Sequence, residues 1–137
     1  MNTKTLRTIV FFALLVHGIG HIQGVVGALG VKFKESSSSV SWLLKDLGIK
    51  TNTALCLILY LAAAVLGILT ALSLKGIIFP QGSWPLLALL TAILSTLCLV
   101  LFPRALAMFF NYAGAVGVNL IIYYLLIAGN DFYAAAE

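Results

Sequence analysis

Long apolar stretches without charged residues are the feature that most constrains this chain. Four of them, at residues 9–29, 54–74, 85–102 and 105–128, approach or exceed the roughly 20 residues that a helix needs to cross a bilayer. The chain is 62% hydrophobic and 9% charged, and a soluble fold of 137 residues has too little interior to bury so much apolar surface. The sequence therefore predicts an all-α integral membrane protein, a four-helix transmembrane bundle in one domain over residues 1–137.

Charge patterning bears on partners and orientation. The net charge of +4 fits attraction to anionic lipid headgroups, and no basic run is interleaved with aromatic residues as in a nucleic-acid site. We expect the bilayer as partner and no nucleic acid. Lys4 and Arg7 precede the first span as in a retained signal-anchor helix, which favours cytoplasmic termini. The Lys and Arg count, three on the side of the termini against five on the other, favours the opposite orientation. Of the two orientations we expect the one with cytoplasmic termini.

The connection between the first two spans carries an amphipathic pattern. Its apolar residues fall at helical spacing: Val40, Leu43, Leu44 and Leu47. Gly48 follows as a stop signal, and Trp42 and Lys45 flank the apolar face as residues that favour the headgroup level. We predict a short amphipathic helix over residues 40–47 that lies in the membrane interface. The alternative is a loop in which the pattern arises by chance.

Small residues recur along the spans. Gly20 and Gly24 form a GxxxG pair, and Gly27 extends it by one further turn. Helices in lipid associate through close packing, which small residues allow. We expect the helix-packing residues to be Gly20, Gly24, Gly27, Gly67, Gly114 and Gly117. This pattern favours an accessory or structural membrane subunit, or a homo-oligomer, that packs through glycine stripes or binds a partner in a membrane complex.

A few polar side chains interrupt the apolar spans. His17 and His21 lie one helical turn apart on the same face of the first span, and Asn111 and Asn119 lie in the fourth. One interpretation pairs these side chains with each other or with Tyr60 as a dry polar core. The alternative is a binding site for haem, quinone or lipid that uses His17 and His21, which would give the protein a ligand-binding or redox-linked role.

Catalytic and metal-binding patterns are otherwise missing. A tetrahedral metal site would need two ligands besides His17 and His21, and the spans contain no further His, Asp or Glu. The two histidines leave the same helix face, so they cannot sandwich one haem. Cys56 and Cys98 lie inside apolar stretches, where thiols usually act as small hydrophobic groups. There is no paired carboxylate, Walker loop, GxSxG, CxxC or HExxH motif, so we assign no catalytic residue and no metal.

One segment resembles a known family. Residues 21–30, HIQGVVGALG, resemble the pattern H-x-x-G-x-V-x-A-x-G in the first helix of small prokaryotic four-span membrane proteins grouped with the DoxX-like proteins. Family members carry Lys where this chain has Gly27. The resemblance implies a four-helix bundle in a prokaryotic cytoplasmic membrane. DoxX-like proteins are associated with membrane redox and thiol-stress systems, and no catalytic residue of theirs carries over to this chain.

Overall fold

The computed structural model describes residues 2–32, 37–106 and 109–128, and within these residues the regular structure is entirely helical. Each of the four long helices is long and apolar enough to cross a membrane. This confirms the prediction of four apolar helices. The helices are α1 (Thr3–Ala28), α2 (Ile49–Leu74), α3 (Trp84–Leu101) and α4 (Phe109–Ala128), with 3₁₀ turns at Lys45–Leu47 and Gln81–Ser83.

Two helices begin at residues other than the predicted ones, one because of a capping side chain and one because of a turn that contains proline. α1 begins at Thr3 because the Asn2 side chain accepts a hydrogen bond from the backbone N–H of Lys4 at 2.9 Å, as an N-cap does. The first basic residues therefore belong to the helix and do not precede it. α4 begins at Phe109 and not at residue 105, because residues 102–106 form a turn around Pro103, which fixes its own backbone and lacks an N–H.

The predicted helix over residues 40–47 is wrong. The structure has a single 3₁₀ turn there, Lys45–Leu47, preceded by bends. Side chains take the place of helical hydrogen bonds, since Ser41 Oγ accepts from the N–H of Leu44 at 3.2 Å. The buried Asn52 amide accepts from the N–H of Ser41 at 2.9 Å and donates to the carbonyl of Leu44 at 2.8 Å. Apolar spacing suggested a helix, but these local polar groups determine the conformation.

The helices run antiparallel in chain order and enclose two apolar clusters. The first lies where α1 begins and α2 ends, and it contains Val10, Leu14, Ala71, Leu74, Trp84, Ala88, Ala92, Ile122 and Leu125. The second lies toward the opposite end around the fully buried Tyr60, and its other members include Cys56, Cys98, Leu99, Phe102 and Ala115. Both cysteines are free and buried within this cluster. Each cluster includes side chains from α2, α3 and α4, so α4 belongs to the same bundle.

α1 and α2 meet in backbone contact at a pair of glycines. A Cβ added to Gly18 would lie 2.8 Å from the amide nitrogen of Ile68 and 3.0 Å from the carbonyl oxygen of Ala64. A Cβ added to Gly67 would lie 2.8 Å from Cα of Gly18. Only glycine fits at such a distance, so this pair sets how closely the two helices approach.

The predicted packing glycines divide into two groups. Gly24 and Gly67 lie at the contact between α1 and α2, and the Tyr60 ring occupies the place that a side chain at Gly24 would need. A Cβ added to Gly27 would lie in ordinary contact, 3.5 Å from the carbonyl oxygen of Ala105. The remaining three face open space among the described residues, with no atom within 4 Å of an added Cβ: Gly20, Gly114 and Gly117.

Candidate functional site

A pocket of about 260 Å³ lies between α1 and α4. Its walls are mainly apolar and include Ala13, Val16, Leu106, Ala115 and Val118. His17, His21 and Asn111 are its polar lining residues. Gly20 of α1 and Gly114 of α4 both line it, and no described atom lies within 4 Å of a Cβ added at either glycine. Two glycines that were predicted to pack helices therefore help to form a cavity.

The two histidines of α1 contact each other at the pocket. Their Nε2 atoms are 3.3 Å apart, and their rings meet edge to face with centroids 4.7 Å apart. A contact of this kind needs one proton between the two nitrogens, so one Nε2 donates and the other accepts. His17 is 6% exposed and His21 is 1% exposed, which places the pair inside the bundle.

His21 also connects the pocket to α3 and α4. Its Nε2 lies 3.0 Å from Ser95 Oγ, and the same oxygen accepts a hydrogen bond from the Asn119 amide at 3.0 Å. Asn119 also donates to Thr96 Oγ1 at 3.2 Å. Three helices thus contribute to one buried polar network, here called the His–Ser–Asn network (His17, His21, Ser95, Asn119 and Thr96).

Two completely buried atoms of the His–Ser–Asn network have no hydrogen-bond partner among the described residues. They are Nδ1 of His21 and Oδ1 of Asn119, and both are buried. An unpaired buried N–H costs about 1–3 kcal/mol and is rarer in proteins than an unpaired acceptor. We therefore place the His21 proton on Nε2, where it has partners, and leave Nδ1 as the unpaired acceptor.

This assignment determines the protonation of His17. Nε2 of His21 carries one proton, which it can donate to Ser95 Oγ at 3.0 Å or to Nε2 of His17 at 3.3 Å. In either case Nε2 of His17 cannot carry a proton as well, because two N–H groups would then face each other, and the single proton of the neutral His17 ring lies on Nδ1. No described residue accepts a hydrogen bond from Nδ1 of His17. His17 therefore brings to the lining of the pocket an N–H donor that has no partner among the described residues.

Asn111 lines the same pocket but does not join the His–Ser–Asn network. Its amide nitrogen donates to Oε1 of Gln23 at 2.6 Å, which ties α4 to α1. A primary amide has two N–H groups, and this contact uses one of them. Of the four residues named from the sequence, His17, His21 and Asn111 line the pocket, while Asn119 lies behind Ser95.

Sequence reasoning missed Ser95 and Gly18. Hydroxyls in apolar helices often bond to the preceding turn of their own helix, and Thr96 does so with the carbonyl of Ala92 at 2.7 Å. Ser95 instead bonds to two other helices, and the sequence contains no signal that separates the two cases. Gly18 lies outside the GxxxG spacing, although a Cβ added to Gly67 would lie 2.8 Å from its Cα.

The site does not fit a metal centre or an axially ligated haem. Among the described residues no three His, Cys, Asp or Glu side chains come together in a group that could hold a metal ion. The Nε2 atoms of His17 and His21 contact each other, and that of His21 contacts Ser95 as well. An axial haem ligand would have to leave these hydrogen bonds.

Comparisons of the chain with protein-family models, with curated proteins and with solved structures found no match in any of the three. The resemblance of residues 21–30 to DoxX-like proteins therefore stays a prediction.

Proposed function

We propose that the chain is an integral membrane protein that binds a small lipid-soluble molecule with a polar ring or headgroup in the pocket between α1 and α4. The observation that carries this proposal is the convergence of His17, His21 and Asn111 on one apolar cavity. A purely structural polar core would have these side chains paired and the space between them filled. Here a cavity remains, and Nδ1 of His17 has no partner among the described residues.

Exposed apolar side chains support the placement in a membrane. Large apolar residues on the outside of the helices include Phe12, Val16, Phe110 and Ile127, which are 57%, 67%, 83% and 83% exposed. Water-soluble monomers rarely expose apolar surface continuously along several helices, whereas lipid covers it without cost. We propose four crossings of a prokaryotic cytoplasmic membrane with cytoplasmic termini, as the basic start of α1 favours.

The pocket favours a hydrogen-bond acceptor of modest size. The unpaired N–H of His17 and the second amide N–H of Asn111 would both donate to a ligand carbonyl. A quinone ring has two such carbonyls and an apolar tail. The volume of about 260 Å³ is just below the range of roughly 300–1,000 Å³ for sites that enclose drug-sized ligands. It therefore suits a ring or headgroup whose tail extends along the lipid-exposed sides of α1 and α4, and it does not suit a whole haem.

A second candidate function is that of a structural subunit or homo-oligomer. Gly117 supports it, because this glycine lies outside the pocket lining and no described atom is within 4 Å of an added Cβ there. α4 is also the least buried of the four helices, because only 22% of its membrane-spanning stretch is buried inside the bundle. A helix of a second copy or of a membrane partner would find close approach there.

One set of variants tests both candidates. Gly20→Leu extends a side chain into the pocket from a position where an added Cβ meets no described atom within 4 Å, and His17→Ala removes the unpaired donor. Gly117→Leu is the matched control, since it adds the same side chain at an equally open glycine outside the pocket lining. Native mass spectrometry of each protein, gently extracted from its own membranes, gives bound ligand and subunit number together. A short-chain benzoquinone added to delipidated protein provides the direct binding measurement.

The two candidates predict different results. If the pocket binds a quinone-type ligand, wild type and Gly117→Leu retain a bound small molecule and bind the added benzoquinone, whereas Gly20→Leu and His17→Ala lose at least about tenfold in affinity. If α4 mediates assembly, Gly117→Leu lowers the subunit number. Equal benzoquinone binding by Gly20→Leu and Gly117→Leu would refute the ligand proposal.

A further inference from the structure

The pocket between α1 and α4 lies deep in the membrane-spanning part of the bundle. Arg7 lies at one end of the bundle, because its guanidinium donates to the carbonyl oxygen of Leu74, the last residue of α2, at 3.0 Å. From Arg7 the same helix rises about 15 Å to His17 and about 21 Å to His21. The hydrocarbon core of a bilayer is about 30 Å thick, so a chain with Arg7 at the headgroup level holds both imidazoles near the bilayer middle.

α1 and α4 are joined on both sides of the pocket along the helix axis. On one side the amide nitrogen of Asn111 donates to Oε1 of Gln23 at 2.6 Å. On the other side Val10 of α1 and Ile122 of α4, which are 5% and 1% exposed, belong to one buried apolar cluster. A ligand that moved along the axis from the headgroups to the pocket would have to part these contacts.

The pocket is open toward the outer surface of the bundle instead. Val16 and Phe110 line it and are 67% and 83% exposed. Gly20 and Gly114 also line it, and no described atom lies within 4 Å of a Cβ added at either glycine. In the membrane-spanning arrangement proposed above, exposed apolar side chains such as these face lipid. The opening of the pocket therefore faces the acyl chains of the bilayer.

No charged side chain among the described residues lines the pocket. Its polar groups are the imidazoles of His17 and His21 and the amide of Asn111. A bound anion would find no Lys or Arg there, and a bound cation would find no Asp or Glu. An ion without a partner at this depth costs far more than an uncharged group that accepts a hydrogen bond. The lining therefore favours an uncharged ligand.

We propose that the pocket takes up an uncharged carbonyl lipid, such as a quinone with an apolar tail, sideways from the middle of the bilayer and excludes lipids with a charged headgroup. This inference rests on the ligand-binding proposal above and adds the class of the ligand and its route. The ligand carbonyl accepts from His17 and Asn111, and the tail leaves the pocket among the acyl chains. Phospholipids hold their headgroups about 15 Å away at the membrane interface, so they bring no polar group to this level.

The test uses one benzoquinone ring with three different tails. The first tail is uncharged. The second is short and ends in a trimethylammonium group, and the third carries the same group on a tail that reaches the headgroups, about 15 Å from the bilayer middle. Binding is measured with the full chain in phosphatidylcholine nanodiscs, and each affinity is referred to the probe concentration in the bilayer of protein-free nanodiscs. Gly20→Leu, which narrows the pocket, gives the background, and Gly117→Leu outside the lining is the matched control.

Sideways uptake from the bilayer middle predicts that wild type and Gly117→Leu bind the uncharged probe and the long-tailed charged probe with similar affinity. The short-tailed charged probe should bind at least tenfold more weakly, because its charge would be drawn into the hydrocarbon. Equal binding of the short-tailed probe would show that the pocket opens toward the headgroups, which overturns this inference and leaves the ligand-binding proposal intact. If none of the three probes binds, both fail.

Two other results would also overturn the inference. Weak binding of both charged probes would show that the tail is enclosed by protein and does not leave the pocket for the lipid. A phospholipid that native mass spectrometry finds on wild type and Gly117→Leu, and not on Gly20→Leu, would show that a charged headgroup is accepted in the pocket.

Discussion

Gly18→Ala is the most direct test of the contact between α1 and α2. The added Cβ would lie 2.8 Å from the amide nitrogen of Ile68, a backbone atom that cannot rotate away. Ordinary van der Waals contacts of carbon begin at about 3.5 Å, so the two helices must separate by about 0.7 Å at this point. A gap of that size forfeits a quarter to a half of the attraction of each atom pair along the contact.

The expected loss of stability follows from two opposing effects. Overpacking of a well-packed interior costs about 1–3 kcal/mol, and the better helix propensity of alanine offsets at most about 1 kcal/mol. We therefore expect Gly18→Ala to lower the free energy of unfolding by about 1–2 kcal/mol. Gly67→Ala should cost a similar amount, because its Cβ would lie 2.8 Å from Cα of Gly18.

Gly20→Ala is the matched control, two residues along the same helix. Its Cβ meets no described atom within 4 Å, so we expect unchanged stability or a gain of up to about 1 kcal/mol. Unfolding by sodium dodecyl sulfate in mixed micelles, followed by the helical circular dichroism signal, gives the free energies. Equal destabilisation by the two variants, or a Gly18→Ala protein as stable as wild type, would show that α1 and α2 are not in backbone contact at Gly18.

Two further predictions concern buried hydrogen bonds. Tyr60→Phe removes the hydroxyl that donates to the carbonyl of Phe102 at 3.1 Å. We expect the free energy of unfolding in mixed micelles to fall by about 1 kcal/mol. The control Tyr124→Phe, at a 68% exposed position, should leave it unchanged. Asn52→Ala removes the three side-chain hydrogen bonds that hold residues 41–48. The rate of amide hydrogen exchange in these residues should therefore rise at least tenfold, while the interior of α3 stays protected. The control Thr51→Ala, at an exposed position, should leave the exchange rates unchanged.

The four helices could be predicted because a bilayer sets one length for every crossing. An uncharged apolar run of about 20 residues has few other folds open to it, so the existence of each helix follows from the sequence. The residues at which the helices begin and end are harder to predict, because a single capping side chain such as that of Asn2 decides the boundary. The connection over residues 40–47 shows the limit, since its apolar spacing is helical but Asn52 and Ser41 take the backbone groups that a helix would use.

Only the placement of site residues within one helix could be predicted from the sequence, not the contacts between helices. The spacing of His17 and His21 places both on one face of α1, and the structure brings Asn111 to the same pocket. Which face of α3 meets that face of α1 depends on tertiary packing. Ser95 and Thr96 are neighbours of similar polarity, and helical periodicity alone does not predict that Ser95 bonds to His21.

Glycines in this bundle have two opposite effects, and the neighbouring atoms decide which one applies. At Gly18 the missing side chain lets another backbone fill the space, so glycine contributes packing. At Gly20, half a turn further, no described atom fills the space, and glycine contributes volume to the pocket beside His17 and His21. Substitutions at these two positions should therefore separate stability from binding. Alanine at Gly18 should weaken the fold, whereas leucine at Gly20 should leave the fold intact and exclude the ligand. A Gly20→Leu protein that is both stable and unable to bind benzoquinone is the combination that a purely structural role for the histidines does not predict.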